Sequence, residues 1–185
     1  VKIAFIIFDG MTLLDFIGVY DPLTRLKTMN FMPYLEWDIC AKTEIVSDSN
    51  GLQLIPNKVA VPLNDYDMII IPGGFGTRKL VDDISFLNWI RTANLCKLKV
   101  SVCTGSLILG AAGFLKNKKA TTHYNAFKNL EKYCLNVVDD RIVEDGDIIT
   151  ARGVSSSIDL GLYLVEKYLG PETKEKIQKQ MDYLF

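Results

Sequence analysis

One histidine, His123, occurs in the 185 residues, and this scarcity removes whole classes of chemistry. No multi-histidine metal centre can be built, and a single imidazole remains for any Cys–His pairing. Catalysis without His123 must run on carboxylates and backbone groups. Cysteine is also sparse, with four residues at positions 40, 96, 103 and 134. They form no C-x-x-C pair and have no neighbouring histidine, so neither a zinc site nor a redox pair is suggested, and reduced thiols are expected. No apolar run approaches the ~20 residues of a membrane span. The opening VKIAFIIFDG lacks the basic flank and cleavage site of a signal peptide. Charge of one sign is missing too: 21 basic and 22 acidic side chains give a formal net charge of -1, without a basic arm or an acidic tail. A cytoplasmic protein with neither membrane nor nucleic-acid partner is the expectation. Phosphate loops of the forms G-x-x-x-x-G-K-[ST] and G-x-G-x-x-G are absent, as are low-complexity tracts and solenoid repeats.

What is present is an alternation of strands and helices within the ~100–200 residues of one domain. KIAFIIF (2–8) is a short apolar run ending at Asp9-Gly10, as a strand buried on both faces would be. Residues 11–27 carry one apolar helical stripe, with a start near Thr12 and a bend expected near Pro22. LEWDICAK (35–42) reads as a second strand, and Asn50-Gly51 signals a peripheral hairpin within 45–56. DMIIIPGG (67–74) and KVSVCTGSLILGAAGFL (99–115) are two further strand-turn-helix units. A loop and helix over 121–133 follow, then strands within 141–151 turning at Asp145-Gly146. A helix over 155–170 is expected to stop at Gly170-Pro171, before a polar last helix over 172–185. Such alternation implies a mostly parallel sheet with helices on both faces, whose ligand crevice lies beyond the carboxyl ends of the strands. Three turns meet on that rim: Asp9 to Asp15, Pro72 to Gly76, and Cys103 to Ser106.

Cys103 ends its strand, and Gly105 is expected to let the chain turn sharply there. The free N–H groups of the following helix would favour thiolate. Packing as one of four small buried hydrophobes explains the cysteine equally well. The Pro72-Gly73-Gly74 turn is ordinary backbone geometry by itself, but beside Cys103 the N–H of Gly74 would join that of Thr104 as an oxyanion hole. Asp15 is read either as a helix N-terminal charge or as a buried carboxyl, kept protonated beside the sulfur. His123, within TTHYN, is more often a structural histidine than a base.

These stretches together resemble the DJ-1/PfpI (ThiJ/PfpI) superfamily: MTLLDFIG, IIIPGG, the elbow VSVCTGSLILGAAGFL, KATTHYNAF and DGDIITARGVSSSIDLGLYLVE, so that essentially the whole chain, 1–185, is one DJ-1/PfpI domain. The elbow with ATTH is the most specific of them. The resemblance implies a flavodoxin-like three-layer α/β/α sandwich of the class I glutamine amidotransferase-like kind, commonly a homodimer, with Cys103 as the elbow nucleophile. It implies backbone donors at Gly74 and Thr104, and a pocket lined by His123, Gly73 and Phe75. No metal or organic cofactor is implied, and the partner would be a small-molecule substrate.

Within the superfamily, aspartate at position 15 and threonine after the cysteine (Thr104) match the isonitrile hydratases. DJ-1 and PfpI-type members usually carry glutamate in place of Asp15, and PfpI-type proteases have histidine after the cysteine. The implied activity is hydration of an isonitrile to an N-substituted formamide, with Cys103, Asp15 and Thr104 as its catalytic set. Glyoxalase-type or amidase chemistry and a non-catalytic redox or stress-response role are the alternatives. Three features depart from the pattern: Gly18-Val19 where Gly-Pro is frequent, Arg152 in a DJ-1-like A-R-G, and an end at Phe185 without the hydratases' extension. AraC-type regulators share the CTG elbow but fuse it to a helix-turn-helix segment not found here, so direct DNA binding is not expected.

Overall fold

The computed structural model describes residues 1–184. Seven strands form the central sheet: β1 (Lys2–Ile6), β2 (Glu36–Ala41), β3 (Lys58–Val59), β4 (Met68–Ile71), β5 (Leu98–Val102), β6 (Ile142–Asp145) and β7 (Ile148–Ala151). Their spatial order is β6-β7-β5-β4-β1-β2-β3. All neighbours are parallel except the β6–β7 hairpin, which turns at the predicted Asp145-Gly146. The apolar runs explain the middle of the sheet: Ile3 to Ile6, Met68 to Ile71 and Leu98 to Val102 are buried at every position, as central parallel strands require.

From β1 the chain first moves outward to β2 through helix α1 (Leu13–Thr28), then returns to β4 on the other side. Right-handed crossovers in opposite directions place α1 on one face and α2 (Ile84–Arg91) and α3 (Gly105–Ala111) on the other. The last long helix, α4 (Ser156–Gln180), packs against α1. This is a flavodoxin-like α/β sandwich, as expected. The Asn50-Gly51 hairpin pairs Val46–Ser47 with Gln53–Leu54 outside the main sheet. α4 is interrupted at Gly170, where φ 81° and ψ 173° are non-helical, so the Gly170-Pro171 stop is real although a helix resumes at once. Phe185, in the predicted last helix, lies outside the described residues.

Pro22 does not end α1; the helix continues to Thr28. Its ring faces Gly161 of α4, where an added Cβ would lie 2.8 Å from Pro22 Cγ. At Gly18 a Cβ would come within 2.0 Å of Ser157 Oγ, so the two helices touch at small residues. The Ser157 hydroxyl lies 2.7 Å from the Val154 carbonyl in the turn before its own helix and 3.1 Å from the Leu14 carbonyl, one residue before Asp15. This contact joins the first turn of α1 to α4.

Candidate active site

The three rim turns converge. The Thr12 N–H donates to Gly73 O at 2.8 Å, tying the start of α1 to the turn after β4. From the first turn of α1, Asp15 points inward and is fully buried. Its Oδ2 accepts the Gly73 N–H at 3.0 Å, while Oδ1 has no hydrogen-bond partner among the described residues. A Cβ on Gly73 would stand 2.8 Å from Asp15 Oδ2, 2.7 Å from Cys103 Cβ and 2.6 Å from the Thr104 nitrogen. Only glycine fits the point that carboxyl, cysteine and elbow amide surround.

Cys103 itself makes the sharp turn, with φ 55°, a conformation disfavoured for a non-glycine residue. Gly105, expected to supply that turn, serves a different purpose: its missing Cβ would lie 2.3 Å from Ile71 O, so it lets α3 approach the end of β4. The strained elbow is held from several sides. The Cys103 N–H donates to Ala151 O at 3.0 Å and Arg152 O at 3.1 Å, while Cys103 O accepts the hydroxyls of Thr122 at 2.9 Å and Ser106 at 3.1 Å. Such over-determination is what allows a strained residue to persist.

Electrostatics correct the expectation that the helix N-terminus favours thiolate. Burial pushes the Cys103 thiol up to about 12, the charge of Asp15 adds to the rise, and the Thr104 amide opposes it. α3 is only 7 residues long, and its amide end does not offset the loss of water around a nearly buried sulfur. Burial likewise raises the Asp15 carboxyl to about 7, against the Gly73 N–H and the sulfur. With the proton on Asp15, the charge that disfavours thiolate disappears and an O–H donor takes its place. Near neutral pH the sulfur is therefore a thiol, and the carboxyl beside it lies close to its titration midpoint.

Three other predicted positions are placed differently from expectation. The Gly74 N–H is not free for an oxyanion: it donates to Thr104 Oγ1 at 3.0 Å. Gly74 adopts φ 127° against Gly10 O and Thr12 N, which a Cβ would meet at 2.4 and 2.5 Å. Phe75 is 73% exposed and lines a separate cleft of about 590 Å³ with Phe8, Asp9, Lys42, Lys79 and Phe86, in which neither Cys103 nor Asp15 takes part. His123 lines a cavity of about 440 Å³ with Tyr124, Arg141, Arg152, Gly153 and Val154. This cavity adjoins the elbow through Arg152, whose carbonyl holds the Cys103 N–H. The His123 Nδ1 accepts the Asn125 N–H at 3.3 Å, and no hydrogen bond joins His123 to Cys103. Arg152 pairs with Asp139. Thr104 does stand in the site, directly after Cys103, with its side chain hydrogen-bonded to the Gly74 turn.

Residues that sequence reading did not single out complete the site: Thr77, Thr122 and Ser106, all fully buried. Hydroxyls directly after glycine-rich turns and elbows are the signal that would have found them. Among the described residues, no cluster of three or more His, Cys, Asp or Glu is arranged to hold a metal ion. No helix among them is long and apolar enough to cross a membrane.

Known proteins resemble the chain in sequence and in fold. The chain is 37% identical over 183 residues to the isonitrile hydratase of Pseudomonas putida, covering 98% of this chain and 78% of that one. It is 26% identical to the glutathione-independent glyoxalase DJR-1.2 of Caenorhabditis elegans, covering 76% of this chain and 77% of that one. Among solved structures, a ThiJ/PfpI family protein from Pseudomonas syringae superposes with a TM-score of 0.92 at 30% identity, over 100% of this chain and 75% of the other. The DJ-1/PfpI family model matches residues 1–167, and the chain belongs to that family.

Proposed function

We propose that the protein is a cysteine-dependent hydratase converting an isonitrile, R–N≡C, to an N-substituted formamide, R–NH–CHO. The observation that carries this reading is the buried Asp15 carboxyl beside Cys103, with one oxygen held by Gly73 and the other unpartnered. Such a group is a neutral proton donor near physiological pH. The likeness to an isonitrile hydratase supports the substrate class.

In the first step the sulfur bonds to the terminal isonitrile carbon while Asp15 delivers its proton to that carbon. The thiol proton passes to the carboxyl, and the product is a thioimidate, R–N=CH–S–Cys103. Water then adds to the thioimidate carbon and the nitrogen takes a proton. The C–S bond breaks, and the sulfur leaves with a proton returned through Asp15. Atoms balance as one isonitrile plus one water, with no change of oxidation state supplied from outside. Thr104 orients the sulfur and the adduct.

A second copy of the chain belongs to this reading. α1 exposes Leu14 at 46% and Ile17 at 40%, on either side of buried Asp15. The adjoining hairpin exposes Ile45, Leu52 and Ile55 and is tied to the start of α1 by the Ser49 hydroxyl on Gly10 O. A homodimer would cover this apolar strip.

The test is incubation with a small aromatic isonitrile, following formamide by chromatography, with methylglyoxal assayed in parallel. Formamide formation that is lost in Cys103→Ala supports the reading. Turnover of the oxoaldehyde alone would move the chain to glyoxalase-type chemistry, and peroxide oxidation of Cys103 with no turnover of either would make it a redox protein.

A further inference from the structure

With the Gly74 amide committed to Thr104 Oγ1, the Thr104 N–H is left as a backbone donor at the site; among the described residues it donates to no backbone carbonyl. Its nitrogen borders the point that a Cβ on Gly73 would occupy, at 2.6 Å, and Cys103 Cβ and Asp15 Oδ2 surround the same point at 2.7 and 2.8 Å. Where this N–H aims is decided by the peptide between Cys103 and Thr104. That peptide is trans and planar, so its carbonyl and its N–H point in opposite directions. Whatever holds the Cys103 carbonyl therefore aims the Thr104 N–H.

Two hydroxyls hold that carbonyl, Thr122 at 2.9 Å and Ser106 at 3.1 Å, and they differ in origin. Ser106 stands in the first turn of α3, three residues after Cys103, and moves with the elbow. Thr122 arrives from outside, on the segment before His123, and is fully buried. That segment is pinned to β7: the Thr121 N–H donates to Thr150 Oγ1 at 2.8 Å, and Ala151, the next residue of β7, accepts the Cys103 N–H. The strand thus grips both ends of Cys103, its N–H directly and its carbonyl through Thr122. The elbow needs this grip, because φ 55° is disfavoured and a released peptide would be free to rotate toward an ordinary conformation.

We propose that Thr122 is a positioning residue for the Cys103 site: its hydroxyl holds the Cys103 carbonyl on the far side of the peptide, so that the Thr104 N–H faces the point shared by Cys103, Asp15 and Gly73. Negative charge that gathers on the sulfur or its adduct then meets an oriented donor. The Thr104 amide also counters the rise of the Cys103 thiol caused by burial, as a donor on this side of the peptide would. The proposal deepens the hydratase reading, since it rests on Cys103 being the reactive group. It gives the TTHYN segment a part in the site that His123, bonded to Asn125, does not play.

The experiment is the pH dependence of Cys103 alkylation by iodoacetamide, read at the Cys103 peptide by mass spectrometry because the other three cysteines also carry thiols. Wild type, Thr122→Val, Thr122→Ser and Ser106→Ala are compared, each confirmed as folded by circular dichroism. Thr122→Val is expected to slow alkylation at neutral pH by about tenfold and to raise the apparent pKa of Cys103. Thr122→Ser keeps the hydroxyl and should restore the wild-type profile. Ser106→Ala should move it less, because the anchor on β7 remains. A wild-type profile in Thr122→Val, a serine variant no better than valine, or a larger effect in Ser106→Ala overturns the proposal. A merely structural role would lower the melting temperature without moving the profile, and Thr122→Ala gives a second hydroxyl-free variant if the valine disturbs folding. Wild-type protein that alkylates normally but turns over no isonitrile would refute the hydratase reading while leaving the Thr122 effect measurable.

Discussion

The Gly73 N–H holds one oxygen of the Asp15 carboxyl at 3.0 Å and leaves the other without a partner. A glycine with no side chain to spare thus positions the acid of the site. A Cβ at residue 73 would press on Asp15, Cys103 and the Thr104 amide together, at 2.6 to 2.8 Å. Gly73→Ala is therefore expected to cost about 1–3 kcal/mol of stability by overpacking. It should lower turnover by about 100-fold, since the displacement falls on the reacting groups. Denaturant unfolding and the isonitrile assay measure the two effects, and near-wild-type turnover would contradict the described packing.

The Asp15 carboxyl is raised by burial to about 7 from an ordinary 3.8. Because the folded value exceeds the unfolded one, the folded state retains the proton through the window from about pH 4 to 7, and stability falls as pH rises through it. Asp15→Asn removes this loss. Relative to wild type it should gain up to about 4 kcal/mol between pH 4 and pH 8, while turnover drops by ~100-fold or more. Urea titrations at both pH values test the sign; a variant less stable at pH 8 than at pH 4, relative to wild type, would refute it.

At Cys103, φ 55° reverses the usual ranking of small residues. Cys103→Gly should be about 1 kcal/mol more stable than Cys103→Ala, although glycine costs stability in ordinary strands and helices. Both variants should be inactive. Parallel urea melts decide the matter, and an alanine variant equal to or above glycine would mean the elbow is relaxed.

His123 makes its hydrogen bond to Asn125 and none to Cys103. His123→Ala is expected to change Cys103 alkylation and turnover by less than about tenfold, against the ~100-fold or more that loss of a general base would cost.

If the apolar strip of α1 and the hairpin is covered by a second copy, Ile17→Glu should convert a dimer to a monomer at micromolar concentration. Light scattering after size-exclusion chromatography reads this directly. A wild-type monomer would remove the second copy from the proposed function.

How much of this was legible depends on which physical property each residue uses. The strands of Ile3 to Ile6, Met68 to Ile71 and Leu98 to Val102 were visible because burial on both faces leaves an uninterrupted apolar run. The elbow was visible because strand, cysteine and small-residue helix are adjacent in sequence. Lys58–Val59 was not, since two exposed residues carry no pattern. The positive φ of Cys103 was hidden because residue type favours it at glycine, and tertiary hydrogen bonds placed it elsewhere. The direction of the Gly74 amide is likewise set by its contact with Thr104, 30 residues away, and no local signal reports it. Phe75 follows the same turn as Gly73 and Gly74, yet its side chain leaves on the outer side of it.

The seam between α1 and α4 gives the site a remote adjustment. Ser157 stands 3.1 Å from the Leu14 carbonyl, and Gly18 allows that approach, so a helix more than 140 positions away in sequence packs directly against the turn that carries Asp15. Since burial is what raises the pKa of that carboxyl, a change at Ser157 or Gly18 would act as a rheostat on the proton donor. Drift along this seam can retune the pH at which the protein works while every residue touching the sulfur stays the same.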